Sequence, residues 1–100
     1  MSLRWVRHTK ATGLAAVAAN PRGWYMKDTN TGINYMSVYP TDRTGDVWRF
    51  MVMTGSYPNR SSTNSWPTCE QALERAKAYW AIHKDEIIAA RAAVDAERER

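Results

Sequence analysis

The sequence has a single cysteine, two histidines and no long apolar run, and these absences limit what the chain can be. With Cys69 alone, no disulfide can form within the chain, as is common for proteins of a reducing compartment. No segment approaches the roughly 20 apolar residues that a membrane-spanning helix needs. The apolar run Leu14–Ala19 follows basic residues but is too short and too alanine-rich for a signal peptide. We therefore expect a cytoplasmic protein.

Patterns typical of catalysis and metal binding are also lacking. Cys69 would lie in the first turn of a helix, but His83 is fourteen residues further on. That separation is about 21 Å along a helix, too far for a base that must reach the thiol. We interpret Cys69 as a buried structural residue, and no second His or Cys stands at metal-site spacing. The chain is predicted not to be an enzyme and to use no metal, cofactor or small-molecule substrate.

The positive charge is unevenly distributed along the chain. The net charge is +4, and residues 1–67 hold eight Lys and Arg against three Asp, which gives +5. Residues 68–100 hold six basic and seven acidic residues, which gives −1. The first two-thirds of the chain is therefore the surface better suited to an anionic partner. A charge of this size also occurs in soluble proteins that have no such partner.

The last third of the chain carries the clearest helix signal. Thr68 followed by Gln71 fits a capping box, which begins a helix. Apolar side chains then recur at alternating steps of four and three, which draws one stripe along one side of a helix. The stripe consists of Cys69, Leu73, Ala76, Trp80, His83, Ile87, Ala90 and Val94. No Pro or Gly interrupts it, so the predicted helix over residues 67–98 is about 30 residues and 45 Å long.

Three segments rich in aromatic and β-branched residues, 24–28, 34–39 and 47–54, predict an antiparallel meander. A short strand around Trp5 and Val6 would add to it, while residues 9–20 are open between strand and helical turn. The predicted fold class is α+β: a small antiparallel sheet of three to five strands packed against one long C-terminal helix. We expect a single domain over residues 1–100, with a sheet region to residue 55 and a polar loop over 56–66.

Alternation along the strands assigns two faces to this sheet. One face is apolar and is the expected seat of the helix; it contains Trp24, Met26, Met36, Val38, Trp48, Phe50 and Val52. The other combines aromatic rings with positive charge, as sheets that bind RNA or single strands do. Its candidate nucleic-acid-binding residues are Tyr25, Lys27, Tyr35, Tyr39 and Arg49. In the alternative interpretation, residues 1–20 cover this face and make it a second, minor core.

The predicted helix is longer than the predicted sheet, whose strands of about six residues span roughly 20 Å. The sheet would cover the stripe only as far as Trp80 or His83. The remainder then needs other cover: the helix breaks near Lys84 and Asp85 and folds back, or a partner binds it. We favour a partner, which includes a second copy of the chain. The candidate protein-binding residues are His83, Ile87, Ala90 and Val94.

The entry to the helix resembles that of two DNA-binding families. After three strands, Trp66-Pro-Thr68-Cys-Glu70-Gln-Ala72 is similar to the Phe-x-Thr-x-Glu-x-Ala entry of the plant Apetala-type domain and of the arm-binding domain of tyrosine recombinases. The resemblance, over about residues 23–80, implies a three-stranded sheet that lies in the DNA major groove. The chain departs from both families in its fewer strand cations and in Ala76, where they carry Tyr.

A small, basic, Trp-rich sheet with an uninterrupted terminal helix also resembles small accessory proteins of bacteriophages, which mostly act by binding a host protein. Two functional hypotheses follow. The leading one is a non-enzymatic, phage-type accessory factor that binds a host or phage protein through the overhanging helix or the Tyr-rich sheet face. The alternative is a DNA- or RNA-binding module that uses that sheet face.

Overall fold

The computed structural model describes residues 1–7, 23–41, 46–55 and 59–98. These residues form a five-stranded antiparallel sheet and one long helix, which confirms the predicted α+β class. The strands follow one another across the sheet in chain order. The elements are β1 (Leu3–Arg7), β2 (Trp24–Asp28), β3 (Asn34–Pro40), β4 (Trp48–Val52), β5 (Arg60–Ser61) and α1 (Cys69–Arg98). Segment 9–20, whose conformation the sequence does not decide, lies outside the described residues.

The start of α1 has the predicted cap. The Thr68 hydroxyl accepts a hydrogen bond from the backbone N–H of Gln71, at 3.2 Å. One otherwise unpaired N–H of the first turn is thereby satisfied. The helix then continues without a break through Lys84 and Asp85 to Arg98, which excludes the alternative of a fold-back at that point.

Pairing across the sheet confirms the apolar face. Trp24 lies opposite Val38, which lies opposite Phe50. Because residues paired across antiparallel strands point to the same side, each such row presents apolar side chains to α1. A second row joins Met26, Met36 and Val52. The buried core on this side contains Met26, Met36, Val38, Trp48, Phe50, Val52, Ala72, Ala76 and Trp80.

The assignment of Tyr35 to the opposite face is wrong. A β-bulge lies between Met26 and Lys27: Met26 pairs with Met36, but Lys27 pairs with Asn34, and Tyr35 is the extra residue. A bulge breaks the strict alternation of faces along a strand. Tyr35 is consequently buried, at 3% exposure, and its ring centroid lies 5.8 Å from that of Trp80 in the helix.

The expectation that the helix overhangs the sheet from Ile87 onward is also wrong. Ile87 is only 5% exposed and belongs to the core. Val94 is half-buried and lies against Gly55, where an added Cβ would come within 3.2 Å of its Cγ1 atom. The expectation was based on a sheet length that included only the residues of regular strands. The chain on either side of the strands extends the surface that α1 covers.

Two arginines of α1 fasten it to these flanking segments. The Arg91 guanidinium donates to the carbonyl of Asn34 at 3.1 Å and also pairs with Asp95. Arg98 donates to the carbonyl of Gly55. Gly55 has a φ of +86°, and a side chain there would come within 2.7 Å of Arg91. A glycine is therefore required where the end of the sheet meets the end of the helix.

Ala90 is exposed although it lies on the predicted stripe. Ala90 lies on the same flank of α1 as Tyr79 and His83. It follows His83 by seven residues, which is about two helical turns. This flank faces the β5 side of the sheet. The short β5 has only two residues, Arg60 and Ser61.

The polar connection before the helix contains structure that the sequence did not predict. Arg60 and Ser61 form β5, paired with Val52 and Met51 of β4. Trp66 then exchanges two backbone hydrogen bonds with Trp48, at 2.7 and 2.8 Å. Both pairings hold the chain along the outer side of β4.

We expect Ile87→Glu to lower the free energy of unfolding by about 3–5 kcal/mol, because it removes a core side chain and buries a charge. Ala90→Glu is the matched control on the same helix and should change stability by less than about 0.5 kcal/mol. Urea denaturation followed by circular dichroism measures both. An Ile87→Glu variant as stable as the parent would restore the overhanging-helix interpretation.

Candidate functional site

A groove of about 970 Å³ runs between α1 and the segment over residues 60–66. We call it the helix–β5 groove. Its floor comes from β4, one wall from the polar segment 60–66, and the other wall from one flank of the helix. The described residues that line it include Phe50, Val52, Arg60, Trp66, Arg75, Ala78, Tyr79 and Ile82.

Aromatic rings in mutual contact form the apolar part of the groove. Phe50 stacks on Trp66, with centroids 5.7 Å apart and ring planes 12° apart. Phe50 also contacts Tyr79, with centroids 5.4 Å apart and ring planes tilted by 48°. Tyr79 in turn contacts His83 at 4.2 Å, so four rings follow one another from Trp66 to the helix flank. Such contacts fix the rings relative to one another and make the floor rigid.

The polar wall is held by backbone and hydroxyl hydrogen bonds. The Ser62 N–H donates to the carbonyl of Phe50 at 2.7 Å, and its hydroxyl donates to the carbonyl of Asn64 at 2.8 Å. Between Ser62 and Trp66 the chain bulges away from β4, and Thr63, Asn64 and Ser65 are exposed. The hydroxyl and amide groups of these three residues are therefore accessible beside the apolar floor.

Ile82 is the least expected feature of the groove. Its side chain is 77% exposed at the helix rim, beside the exposed Ala78. A single exposed apolar residue is common on soluble proteins. Here, however, Ile82 borders a concave surface floored by aromatic rings, which is the arrangement typical of binding sites.

Two arginines line the groove without an ion-pair partner. Arg60 and Arg75 are both exposed, and neither forms a salt bridge with any described residue. None of the described residues that line the groove is an Asp or Glu. Arg91 and Arg98, by contrast, bond to the sheet ends. The groove thus carries positive charge that the described fold does not use.

A second candidate surface is the side of the sheet that faces away from α1, which we call the cationic sheet face. Register places Arg4 opposite Lys27, and Tyr39 opposite Arg49. The Tyr39 hydroxyl hydrogen-bonds to Ser61 at 2.8 Å, and the Nε of Arg49 is buried without a hydrogen-bond partner. The described members of this face are Arg4, Val6, Tyr25, Lys27, Ser37, Tyr39, Arg49 and Met51, and none is acidic.

The structure separates the sequence-predicted site residues. Tyr25, Lys27, Tyr39 and Arg49 share the cationic sheet face, each half-buried, whereas Tyr35 lies in the core. The four predicted protein-binding residues do not form one surface. His83 contacts the groove ring of Tyr79 and Ala90 is exposed, while Ile87 is buried and Val94 lies against Gly55.

The sequence interpretation missed Arg60, Arg75 and Ile82. For Ile82 a signal existed: it is a large apolar residue off the predicted stripe, two residues from Trp80. A side chain of that kind on the polar side of an amphipathic helix marks a candidate contact. Arg60 had no comparable signal, because only the pairing of β5 with β4 brings it to the groove.

Catalytic chemistry finds little support among the described residues. Burial raises the pKa of the Cys69 thiol to about 11, so the thiol is protonated at neutral pH. No group of three or more His, Cys, Asp or Glu in the described ranges could hold a metal ion.

No helix in the described part of the chain combines the length and apolarity needed to cross a membrane.

Native Cys69 should react with Ellman's reagent at pH 8 at least about tenfold more slowly than the unfolded chain. Burial raises the pKa of the thiol from its ordinary value of 9.0 to about 11, which lowers the fraction of reactive thiolate. Release of the coloured thiolate in buffer and in guanidinium chloride measures the two rates. Equal rates would mean an accessible thiol and would reopen a role for Cys69 as a nucleophile.

Comparison of the chain with protein-family models, with curated proteins and with solved structures finds no match. Function therefore has to be inferred from the two surfaces described above.

Proposed function

We propose that this chain is a small non-enzymatic binding protein that holds a segment of another protein in the helix–β5 groove. The observation that supports this most directly is Ile82, 77% exposed at the rim of a groove floored by Phe50, Trp66 and Tyr79. Covering a side chain of that size is worth about 1.5–3 kcal/mol. Ile82 is therefore an apolar contact residue that would become buried only when a partner binds.

The dimensions of the groove favour a short segment over a broad interface. Its volume of about 970 Å³ is at the upper end of the range for ligand-binding sites. Recognition would be of the weak, transient kind, in which a few buried side chains supply most of the affinity. A second copy of this chain could supply such a segment only through an exposed part of its own surface.

We extend the proposal to a cytoplasmic accessory role of the bacteriophage type. Its support is the resemblance noted above: a small, basic, Trp-rich sheet with an uninterrupted terminal helix. Proteins of that kind act mostly through a host or phage protein. No cofactor is needed for the proposed function, because side chains and backbone of the groove supply every contact.

A photoreactive amino acid at position 82 should crosslink a protein partner in bacterial cells, and the same group at Ala81 should not. Ala81 is the control because it is exposed on the same helix but does not line the groove. With the photoreactive group moved to Ala78, which is exposed and lines the groove, Ile82→Asp should abolish capture of that partner and leave stability within about 0.5 kcal/mol, since the side chain is exposed. Mass spectrometry identifies the adducts. Equal adducts from both positions would contradict binding in the groove.

We propose nucleic-acid binding as a second candidate, at the cationic sheet face. The specific observation is that Arg4, Lys27 and Arg49 share this face with Tyr25 and Tyr39, with no carboxylate among its described residues. Cations for phosphates and aromatic rings beside them are the elements that single-strand-binding sheets use. The sequence-predicted set loses Tyr35, which is buried, and gains Arg4.

The salt dependence of binding to single-stranded DNA or RNA tests this second candidate. Replacing Lys27 and Arg49 with Gln should lower the slope of log K against log salt by roughly 1.4, about 0.7 for each phosphate that is no longer neutralised. Gln at Lys77 and Lys84, both exposed on the helix, is the control and should leave the slope unchanged. Fluorescence anisotropy gives these values. Absence of binding at low salt would exclude the sheet face as a nucleic-acid site.

A further inference from the structure

We infer that the helix–β5 groove recognises an extended acidic segment of its partner: two carboxylates about four residues apart, with an apolar side chain between them. This inference rests on the proposed function and adds the chemistry of the ligand. It follows from the placement of the two arginines, from the ring contacts of the floor and from the character of the polar wall.

The two arginines stand at opposite ends of the groove. α1 runs in the same direction as β4, because Phe50 meets Tyr79 and, further along, Gly55 meets Arg91. From the Phe50–Tyr79 contact, Arg75 lies one turn back along the helix, about 6 Å. Arg60 is paired with Val52, two residues forward along the strand, or about 7 Å.

This separation is the basis for the expected spacing of the ligand's charges. The backbone positions of Arg75 and Arg60 are about 13 Å apart along the groove, and an extended chain spans that distance in about four residues. Both guanidinium groups lack an ion-pair partner among the described residues, and the described lining holds no carboxylate to compete. Two carboxylates at that spacing can each accept charge-assisted hydrogen bonds from one arginine.

The floor between the arginines favours an apolar side chain over a nucleobase. Stacking of a base requires an open ring face. Phe50 is only 8% exposed and contacts both Trp66 and Tyr79, and Tyr79 also contacts His83. Little of the Phe50 ring face is therefore open to a base. Together with Ile82, these rings form a surface that a leucine or phenylalanine side chain can cover.

The polar wall suits the backbone of an extended segment. Thr63, Asn64 and Ser65 are exposed there, opposite the helix flank. An extended chain has no internal backbone hydrogen bonds and needs outside donors and acceptors. The side chains of the polar wall can hydrogen-bond to the main chain of the bound segment. The arginines and the floor then contact the side chains of that segment.

Three synthetic peptides test the inference on the full chain. They share a central leucine and differ only at two positions four residues apart, which hold glutamates, glutamines or lysines. The glutamate peptide should bind about tenfold more tightly than the glutamine peptide, the factor expected for two solvent-accessible ion pairs. In titrations followed by ¹⁵N-resolved NMR, the shifted amide signals should come from residues 60–66 and from the 75–82 flank of α1.

Charge reversal gives the decisive comparison. Arg60→Glu with Arg75→Glu should switch the preference to the lysine peptide. Lys77→Glu with Lys84→Glu changes the charge equally at exposed positions that do not line the groove, and should leave the preference for glutamate intact.

The outcomes separate this inference from the proposed function. Equal binding of all three peptides in the groove would overturn the acidic preference and leave segment binding standing. If no peptide shifts the groove signals at millimolar concentration, both fail. Signals that change with protein concentration alone would assign the groove to a second copy of this chain and overturn the inference. Tighter binding of a single-stranded oligothymidylate in the groove would overturn it in favour of nucleic acid.

Discussion

The length of α1 is the constraint on which the rest of this structure depends. A helix of 30 residues is about 45 Å long, while a strand of five residues spans about 17 Å. Part of the apolar stripe of α1 would remain in water unless the chain beyond the strands covered it. Arg91, Arg98 and Gly55 meet this requirement, since the two arginines bond to carbonyls at the sheet ends and the glycine permits their close approach.

Local signals in the sequence were sufficient for β1 to β4, for α1 and for most of the core. Thr68 caps α1 as predicted, and the rows through Val38 and Met36 confirm the apolar face. The predictions that were wrong concern residues whose environment depends on irregular backbone. The bulge at Tyr35 reverses its face, and Ile87 is buried because the surface under the helix includes turns as well as strands. Neither feature changes the hydrophobic period, so neither can be detected from periodicity.

The helix–β5 groove was not predictable in the same way. Its polar wall lies in a Ser- and Asn-rich connection without apolar alternation, and becomes structure only through pairing with β4. The pairing between Trp66 and Trp48 joins residues eighteen positions apart, beyond the range of any local pattern. Among Arg60, Arg75 and Ile82, only Ile82 could be recognised from the sequence as a candidate contact residue. The predicted partner surface on the helix therefore moved from the Ile87–Val94 end to the flank around Ile82.

The two candidate surfaces share β4 and meet at Ser61, which lines the groove and hydrogen-bonds to Tyr39 of the cationic sheet face. Successive residues of a strand point to opposite sides, so Arg49 faces the cationic sheet face while Phe50 and Val52 floor the groove. Substitutions that spare Tyr39 and Ser61 allow the two functions to be tested in one chain. Phe50, like Val52, belongs to both the core and the groove. A loss of binding after its replacement would report unfolding as well as recognition, and exposed Ile82, Arg60 and Arg75 are therefore the residues that isolate binding from stability.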